Sequence, residues 1–469
     1  MLGWVHLAAA LAAGLTFRLV FVHFYGQTIG DALVYGDIAK NLLQHGIYGM
    51  TNDDGSIRLT LIRLPGYPLF LAACFRIFGT EHYTAVMLTQ CVVDMGTCAL
   101  AAATAARLFG RRAGLCALWL GLLCPFTVNY VAAPLTETLS LFCIALAFYA
   151  LTRWQAEDLH KVGMSFWLMA VAMAYAILLR PDAGLLAAAV VPAMAWITWK
   201  DAWSSDGTMQ SKATQTHTIR LTAVLCAAVL LPLLPWTARN WRDFQVVQPL
   251  APRYATDPTE LVARGFNHWY RSWAIDFAST EDVYWNLNGA TIQIDDIPTR
   301  AFDTDAQYVE TQQLLADYNN TTTLTPELDD RFQKIADERI AASPLRYYGT
   351  LPAARLADMW LRPRTEMLPV MDTWWRYRDD PGESLFSWAY AGVNLLYILA
   401  AGLGAWAACK RMPREKLPVV YAMLAYVALR TALLFTLDNS EDRYTLEFFP
   451  LFFVLAGYAL STIYKTNAE

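Results

Sequence analysis

Charge is what this chain has least of. Asp, Glu, Lys and Arg make up 16% of its 469 residues, against about 25% in soluble globular chains. Hydrophobic residues make up 56%, and the mean hydropathy is +0.28. The net charge of −5, with no basic arm and no RNA-binding signature, excludes a nucleic-acid partner. No Cys/His spacing resembles a zinc site. The 8 cysteines (Cys74, Cys91, Cys98, Cys116, Cys124, Cys143, Cys226 and Cys409) all lie in or beside apolar runs and read as packing residues. A P-loop, G-x-G-x-x-G, H-E-x-x-H and G-x-S-x-G are all missing. So is any internal repeat or inverted pair of broken helices of the kind transporters carry.

What the chain does have is apolar runs near the length of about 20 residues that a helix needs to cross a bilayer. By that criterion there are about ten: 2–24, 83–109, 113–133, 135–154, 162–179, 183–199, 219–236, 384–408, 417–437 and 446–464. The first lacks the basic n-region and cleavage site of a signal peptide, and reads as a retained helix. The 17 Trp, 23 Tyr and 22 Phe suit a protein with many interfacial positions. The run 64–79 is short and holds Pro65, Pro68 and Arg76, so it reads as a helix at the membrane surface. Basic residues support that reading. With 64–79 not spanning, five clusters fall on one side, which is then the cytoplasm. They are Arg107, Arg111 and Arg112; Arg153, His160 and Lys161; Lys200, Lys212 and Arg220; Lys410, Arg411, Arg414 and Lys416; and Lys465.

The expected fold class is therefore an α-helical polytopic membrane protein, with about ten transmembrane helices and interfacial helices in the first outer loop. One mixed, mostly helical extracytoplasmic domain completes it. The expected divisions are 1–236, a membrane bundle whose first outer loop covers 25–82; 237–383, the extracytoplasmic domain; and 384–469, the last membrane helices. In the first half of that domain the sequence suggests strand-like or irregular patches. In its second half, Phe332, Ile335, Ala336 and Ile340 form an apolar stripe at helical spacing.

Ionisable residues near the outer ends of these spans carry the chemical signal. Asp31 precedes an apolar stripe through Tyr35, Ile38, Ala39 and Leu42. It either caps that helix or stands as a general base at the membrane surface. Asp37 lies on the polar face of the same helix. Glu137 opens a span, where the helix dipole favours an acid and where a carboxylate must face the bundle or a cavity. Arg63, Arg180, Arg239 and Arg443 all fall on the outer side, where guanidiniums bind phosphate in bidentate fashion. Arg18 and Asp94 lie deeper, within the first two spans, where a charge is a candidate for function or for a structural pair. The D-x-D pattern Asp303-Thr304-Asp305 lies outside, away from nucleotide pools, and carries little weight.

Taken together, these pieces resemble the GT-C glycosyltransferases, and within them the bacterial branch of the protein mannosyltransferase and aminoarabinose transferase family. The likeness rests on Asp31 followed by Tyr35, on Ile38-Ala39-Lys40-Asn41-Leu42-Leu43, on Gly46-Ile47-Tyr48 and on Arg63-Leu64-Pro65-Gly66-Tyr67-Pro68. Leu135-Thr136-Glu137-Thr138, Leu178-Leu179-Arg180-Pro181, Pro235-Trp236-Thr237-Ala238-Arg239-Asn240-Trp241 and Arg443-Tyr444 extend it. The resemblance covers the membrane part and little of the soluble domain. It implies an inverting transfer from a polyprenyl-phosphate-linked sugar, at the outer face of the cytoplasmic membrane, to a protein, lipid or glycan acceptor. Asp31 matches the position of the family's catalytic aspartate. Where the family often places a second acid directly after it, this chain has Ala32, which shifts that role to Glu137 or Asp37. The substrate-binding residues would be Tyr35, Arg63, Tyr67, Arg180, Arg239, Arg443 and Tyr444. A divalent cation between Asp31 and Glu137 stays open, and membrane lipids are expected partners. The alternative from another class is a polyprenyl-linked glycan transporter or flippase, with the outer arginines as a docking ring for lipid phosphate.

Overall fold

A backbone in hydrocarbon must satisfy its own hydrogen bonds, and this chain does so almost entirely with helices. The computed structural model describes residues 2–157, 162–201 and 212–466. His160 and Lys161 of the second basic cluster lie outside the described residues, as do the side chains of Lys212 and Lys465. The protein is a polytopic α-helical membrane protein with an extracytoplasmic domain.

The number of spans is lower than run length suggests. Among the described residues, 5 helices are long and apolar enough to cross: Val5–Tyr25, Tyr83–Phe109, Pro181–Lys200, Pro381–Arg411 and Leu417–Leu434. The count rises to 7 if two bent pairs each make one span. Arg111–Leu122 and Pro125–Val131 meet at 51°, Gln215–Leu230 and Leu233–Phe244 at 43°. About ten is therefore an overcount, for three physical reasons. Pro125 and Pro232 interrupt the two bent runs. Met164–Leu179 and Phe449–Thr462 are too short. Glu137–Gln155 carries Glu137, Thr138, Ser140, Thr152 and Arg153 at its two ends, which dilutes its apolarity. Gly66–Phe78, within the doubtful run, has 13 residues and is also short of a span.

The chain forms two compact units. The first comprises Met1–Asp257, Leu395–Leu429 and Leu446–Glu469. Its centre is Tyr83–Phe109, packed on Arg111–Leu122, Glu137–Gln155 and Phe449–Thr466. Arg18 and Asp94 meet there, 0% and 1% exposed. The guanidinium Nε donates to Asp94 Oδ2 at 2.8 Å, Nη2 donates to the same oxygen, and Nη1 donates to the carbonyls of Gly14 and Leu122 at 2.9 and 3.0 Å. Of the cysteines, Cys74, Cys91, Cys98, Cys124 and Cys143 are buried, and all eight are free. The only strands among the described residues are Gly49–Thr51 and Ile57–Leu59, an antiparallel hairpin with Met50 opposite Arg58.

The second unit comprises Pro258–Asn394 and Arg430–Thr445. Its first half contains short helices, helical turns and loops where the sequence suggested strand-like or irregular patches. Thr325 caps Pro326–Ala342 by accepting from the Leu328 N–H at 3.3 Å, with Pro326 in the first turn. The stripe is as the spacing predicts: Phe332, Ile335 and Ala336 are buried against Phe266, Trp269 and Tyr270, with Ile340 partly buried beside them. The carboxylate of Asp329 accepts the Gly265 and Phe266 N–H groups at 3.0 and 2.9 Å, closing the start of Arg264–Arg271. The D-x-D residues serve the fold as well. Thr304 caps Asp305–Asn319, and Asp303 receives both ends of the Arg346 fork at 2.7 Å, which holds its carboxyl below the usual range.

Candidate active site

The site is built at the head of Asp31–His45. Gly30, with φ of +54°, turns the chain into this helix in a region that side chains disfavour. Asp31 opens the first turn, and its Oδ1 accepts from Arg63 Nη2 at 2.6 Å. One helical turn on, Tyr35 lies beneath the Arg63 guanidinium, 5.7 Å from Cζ to ring centre, and edge-on to Tyr67 at 5.1 Å. Burial pushes the Tyr35 phenol up to about 12. The charges of Arg63, Asp31, Glu137 and Arg180 also act on this hydroxyl, which stays protonated.

Buried polar contacts fix this geometry from below. Tyr67 donates to Gln90 Oε1 at 2.7 Å, and Gln90 Nε2 donates to the Ala133 carbonyl at 2.7 Å, just upstream of Glu137. Gly66 opens the helix Gly66–Phe78, just after Arg63. A Cβ there would stand 2.6 Å from the Leu178 carbonyl oxygen, so the helix start that follows Arg63 rests on the end of the helix that leads to Arg180. Gly66→Ala is therefore expected to destabilise the folded protein by about 1–3 kcal/mol through overpacking. Lower activity should accompany it, read as a lowered unfolding midpoint and a reduced transfer rate in the same preparation.

The second half of the site centres on Arg180, which follows the helix Met164–Leu179. Its guanidinium lies 3.2 Å from Glu137, 3.3 Å from Asp182 and 3.3 Å from Glu447. Glu137 and Glu447 are 2% and 1% exposed, and Glu447 Oε2 accepts from the Tyr426 hydroxyl at 2.8 Å. Glu447, Asp182, Gln90 and Tyr426 were not singled out from the sequence. Glu447 carries the signal that marks Glu137, a carboxylate at the head of an apolar run. Gln90, a glutamine inside a long apolar helix, is a weaker one.

Asp31, Tyr35, Arg63, Tyr67, Glu137 and Arg180 thus come together. The other expected residues are placed differently. Asp37 accepts from Thr51 N and Oγ1 at 2.6 and 2.9 Å and fastens the hairpin to the helix. Arg239 donates to the carbonyls of Thr60 and Tyr48 at 2.7 Å each and pairs with Asp243 at 2.9 Å. The Tyr48 hydroxyl in turn donates to the Arg63 carbonyl at 3.0 Å. Asp257 pairs with Arg58 at 2.9 Å and accepts from Leu61 N at 3.0 Å. Arg239 and Asp257 therefore brace the strand that delivers Arg63. Arg443 and Tyr444 belong to the second unit, where both engage Glu441. Among the described residues, no group of three or more His, Cys, Asp or Glu is arranged to hold a metal ion.

Residues 63–236 match the family model of dolichyl-phosphate-mannose-protein mannosyltransferase. No curated protein matches the chain. Among solved structures, the archaeal oligosaccharyltransferase AglB from Archaeoglobus fulgidus, in complex with an inhibitory peptide and a dolichol-phosphate, is similar to it. The identity is 12% and the TM-score 0.53, over 99% of this chain and 50% of that one. The Archaeoglobus fulgidus oligosaccharyltransferase in complex with zinc and sulfate is 10% identical, with a TM-score of 0.53, over 98% of this chain and 49% of that one. ArnT from Cupriavidus metallidurans in the apo state gives 14% identity and a TM-score of 0.42, over 93% and 78%. The chain spans about half the length of the archaeal structures it matches. The likeness to them shows that this chain shares their fold.

Proposed function

We propose that this protein is an inverting glycosyltransferase that moves a sugar from a polyprenyl-phosphate donor to an acceptor, at the outer face of the cytoplasmic membrane. The observation that carries this reading is the Asp31–Arg63 pair, held 2.6 Å apart at the head of its helix, with Glu137 and Arg180 among the charges that act on the adjacent Tyr35. The shared fold supports it, and so does the dolichol-phosphate bound by AglB.

The chemistry follows from the donor. A lipid phosphate is already a good leaving group, so the barrier falls when the departing charge is stabilised and the acceptor loses its proton in step. The acceptor hydroxyl or amine attacks the anomeric carbon. The bond from that carbon to the phosphate oxygen breaks, its electron pair leaves with the phosphate, and Asp31 takes the acceptor's proton. Arg63 lies where it can orient Asp31 and meet the phosphate. Arg180, held by Glu137 and Glu447, is a second cation at the same site. Arg239 contributes by bracing the loop that carries Arg63.

Purified full-length protein incubated with labelled polyprenyl-phosphate sugars should release free polyprenyl phosphate and leave the sugar on an acceptor. In the flippase reading, labelled lipid would cross a vesicle membrane with its sugar–phosphate bond intact. That outcome would sink the proposal.

A further inference from the structure

The helix Pro381–Arg411 records its own depth in the membrane. Its 31 residues are longer than the about 20 that cross the hydrocarbon, so its ends rise into the headgroup layers. Trp388 and Trp406 are both exposed on it and stand about 27 Å apart along the axis at 1.5 Å per residue. That is close to the separation of a bilayer's two aromatic belts. Lys410 and Arg411 follow Trp406 and mark the cytoplasmic end. Trp388 is then at the outer interface.

Trp374 packs edge-on against Trp388, with ring centres 4.8 Å apart. This contact brings the segment Trp374-Trp375-Arg376-Tyr377-Arg378 to the level of the outer belt. Trp375 and Tyr377 are 44% and 57% exposed, and Arg376 and Arg378 are exposed as well. Together with Asp379 these four residues line an open concavity. Neither arginine has a side-chain hydrogen bond or ion pair among the described residues.

Among the nearby acids, Asp282 feels the charge of Arg376, and others are engaged in the fold. Asp380 Oδ1 accepts the Glu383 N–H at 3.0 Å, at the start of the helix, whose dipole it offsets. Glu383 Oε2 accepts the Met371 N–H at 2.7 Å, and Asp372 faces Arg362 at 3.7 Å. The lining of the concavity itself holds two guanidiniums and the single carboxylate of Asp379, with Asp282 the further acid that feels Arg376.

We propose that this concavity is a binding site for an anionic phospholipid of the outer leaflet. Arg376 and Arg378 take the headgroup phosphate, for which a guanidinium fork is shaped. Trp375 and Tyr377 settle at the glycerol level, where amphipathic rings collect. Its residues are none of those proposed for the transfer chemistry, and the proposal does not depend on that chemistry.

The test is native mass spectrometry of the full-length protein in detergent, titrated separately with phosphatidylglycerol, phosphatidylcholine and undecaprenyl phosphate. Wild type should retain phosphatidylglycerol over phosphatidylcholine. The double variant R376Q/R378Q should retain it less by about fivefold per arginine, the scale for a basic residue at an anionic surface. Its retention of undecaprenyl phosphate and its unfolding midpoint should not change. The charge-preserving R376K/R378K should keep most of the preference. The proposal is overturned if R376Q/R378Q binds phosphatidylglycerol as wild type does, or if the two phospholipids are retained equally. A loss confined to undecaprenyl phosphate also overturns it, assigning these arginines to a lipid-linked donor instead.

Discussion

Replacing Asp31 with asparagine is expected to lower sugar transfer by about 10²–10⁴-fold, the range that a positioned general base contributes, while the protein remains folded. Asparagine keeps the shape of the side chain and an oxygen to accept the 2.6 Å hydrogen bond from Arg63, so the local architecture should survive. What it cannot do is take the acceptor's proton. The informative control is Asp37→Asn on the same helix. Asp37 holds the hairpin through Thr51, and its loss should loosen the first outer loop and lower the unfolding midpoint more than it lowers the rate. Single-turnover transfer from a labelled donor, with unfolding midpoints measured on the same preparations, separates the two. Transfer by Asp31→Asn at close to the wild-type rate would remove Asp31 from the role of base.

The largest effect on stability is expected deep in the membrane region, at Arg18 and Asp94. Asp94→Leu leaves the Arg18 guanidinium fully buried with no opposing carboxylate, although Gly14 and Leu122 still accept from its Nη1. Breaking a buried pair from one side costs about 3–5 kcal/mol. Removing both charges is far milder, since no uncompensated ion remains, and replacing such a pair with apolar residues is often close to neutral. Arg18→Leu combined with Asp94→Leu should therefore recover most of the stability that Asp94→Leu loses. Chemical unfolding of wild type, Arg18→Leu, Asp94→Leu and the double variant closes the double-mutant cycle. A single variant as stable as wild type, or a double variant as damaged as the single, would show that the pair does not hold these helices together.

How much of this was legible beforehand varies with how local the cause is. The stripe Phe332, Ile335 and Ala336 was readable because helical periodicity is written in neighbouring residues. The number of spans was read too high because run length registers apolar content and misses the proline breaks and polar ends that shorten helices. The outer arginines show how far sidedness can be read. Arg63, Arg180 and Arg239 look equivalent by position. In the fold, Arg63 faces Asp31, Arg180 gathers Glu137, Asp182 and Glu447, and Arg239 braces backbone carbonyls. Glu447 shows what was overlooked: it carries the same signal as Glu137, yet its meaning depends on Arg180, from a distant part of the chain.

By itself, then, the sequence determined that this is a helical membrane protein with polar chain on its outer side. Those properties follow from apolar content, periodicity and the distribution of basic residues, each of which acts locally or simply adds along the chain. Only the tertiary structure decided which carboxylate meets which guanidinium: Arg18 with Asp94, Asp31 with Arg63, Arg180 with Glu137 and Glu447. Ion pairs between residues far apart in sequence form where packed helices bring them within a few ångströms, and that proximity is a property of the packing.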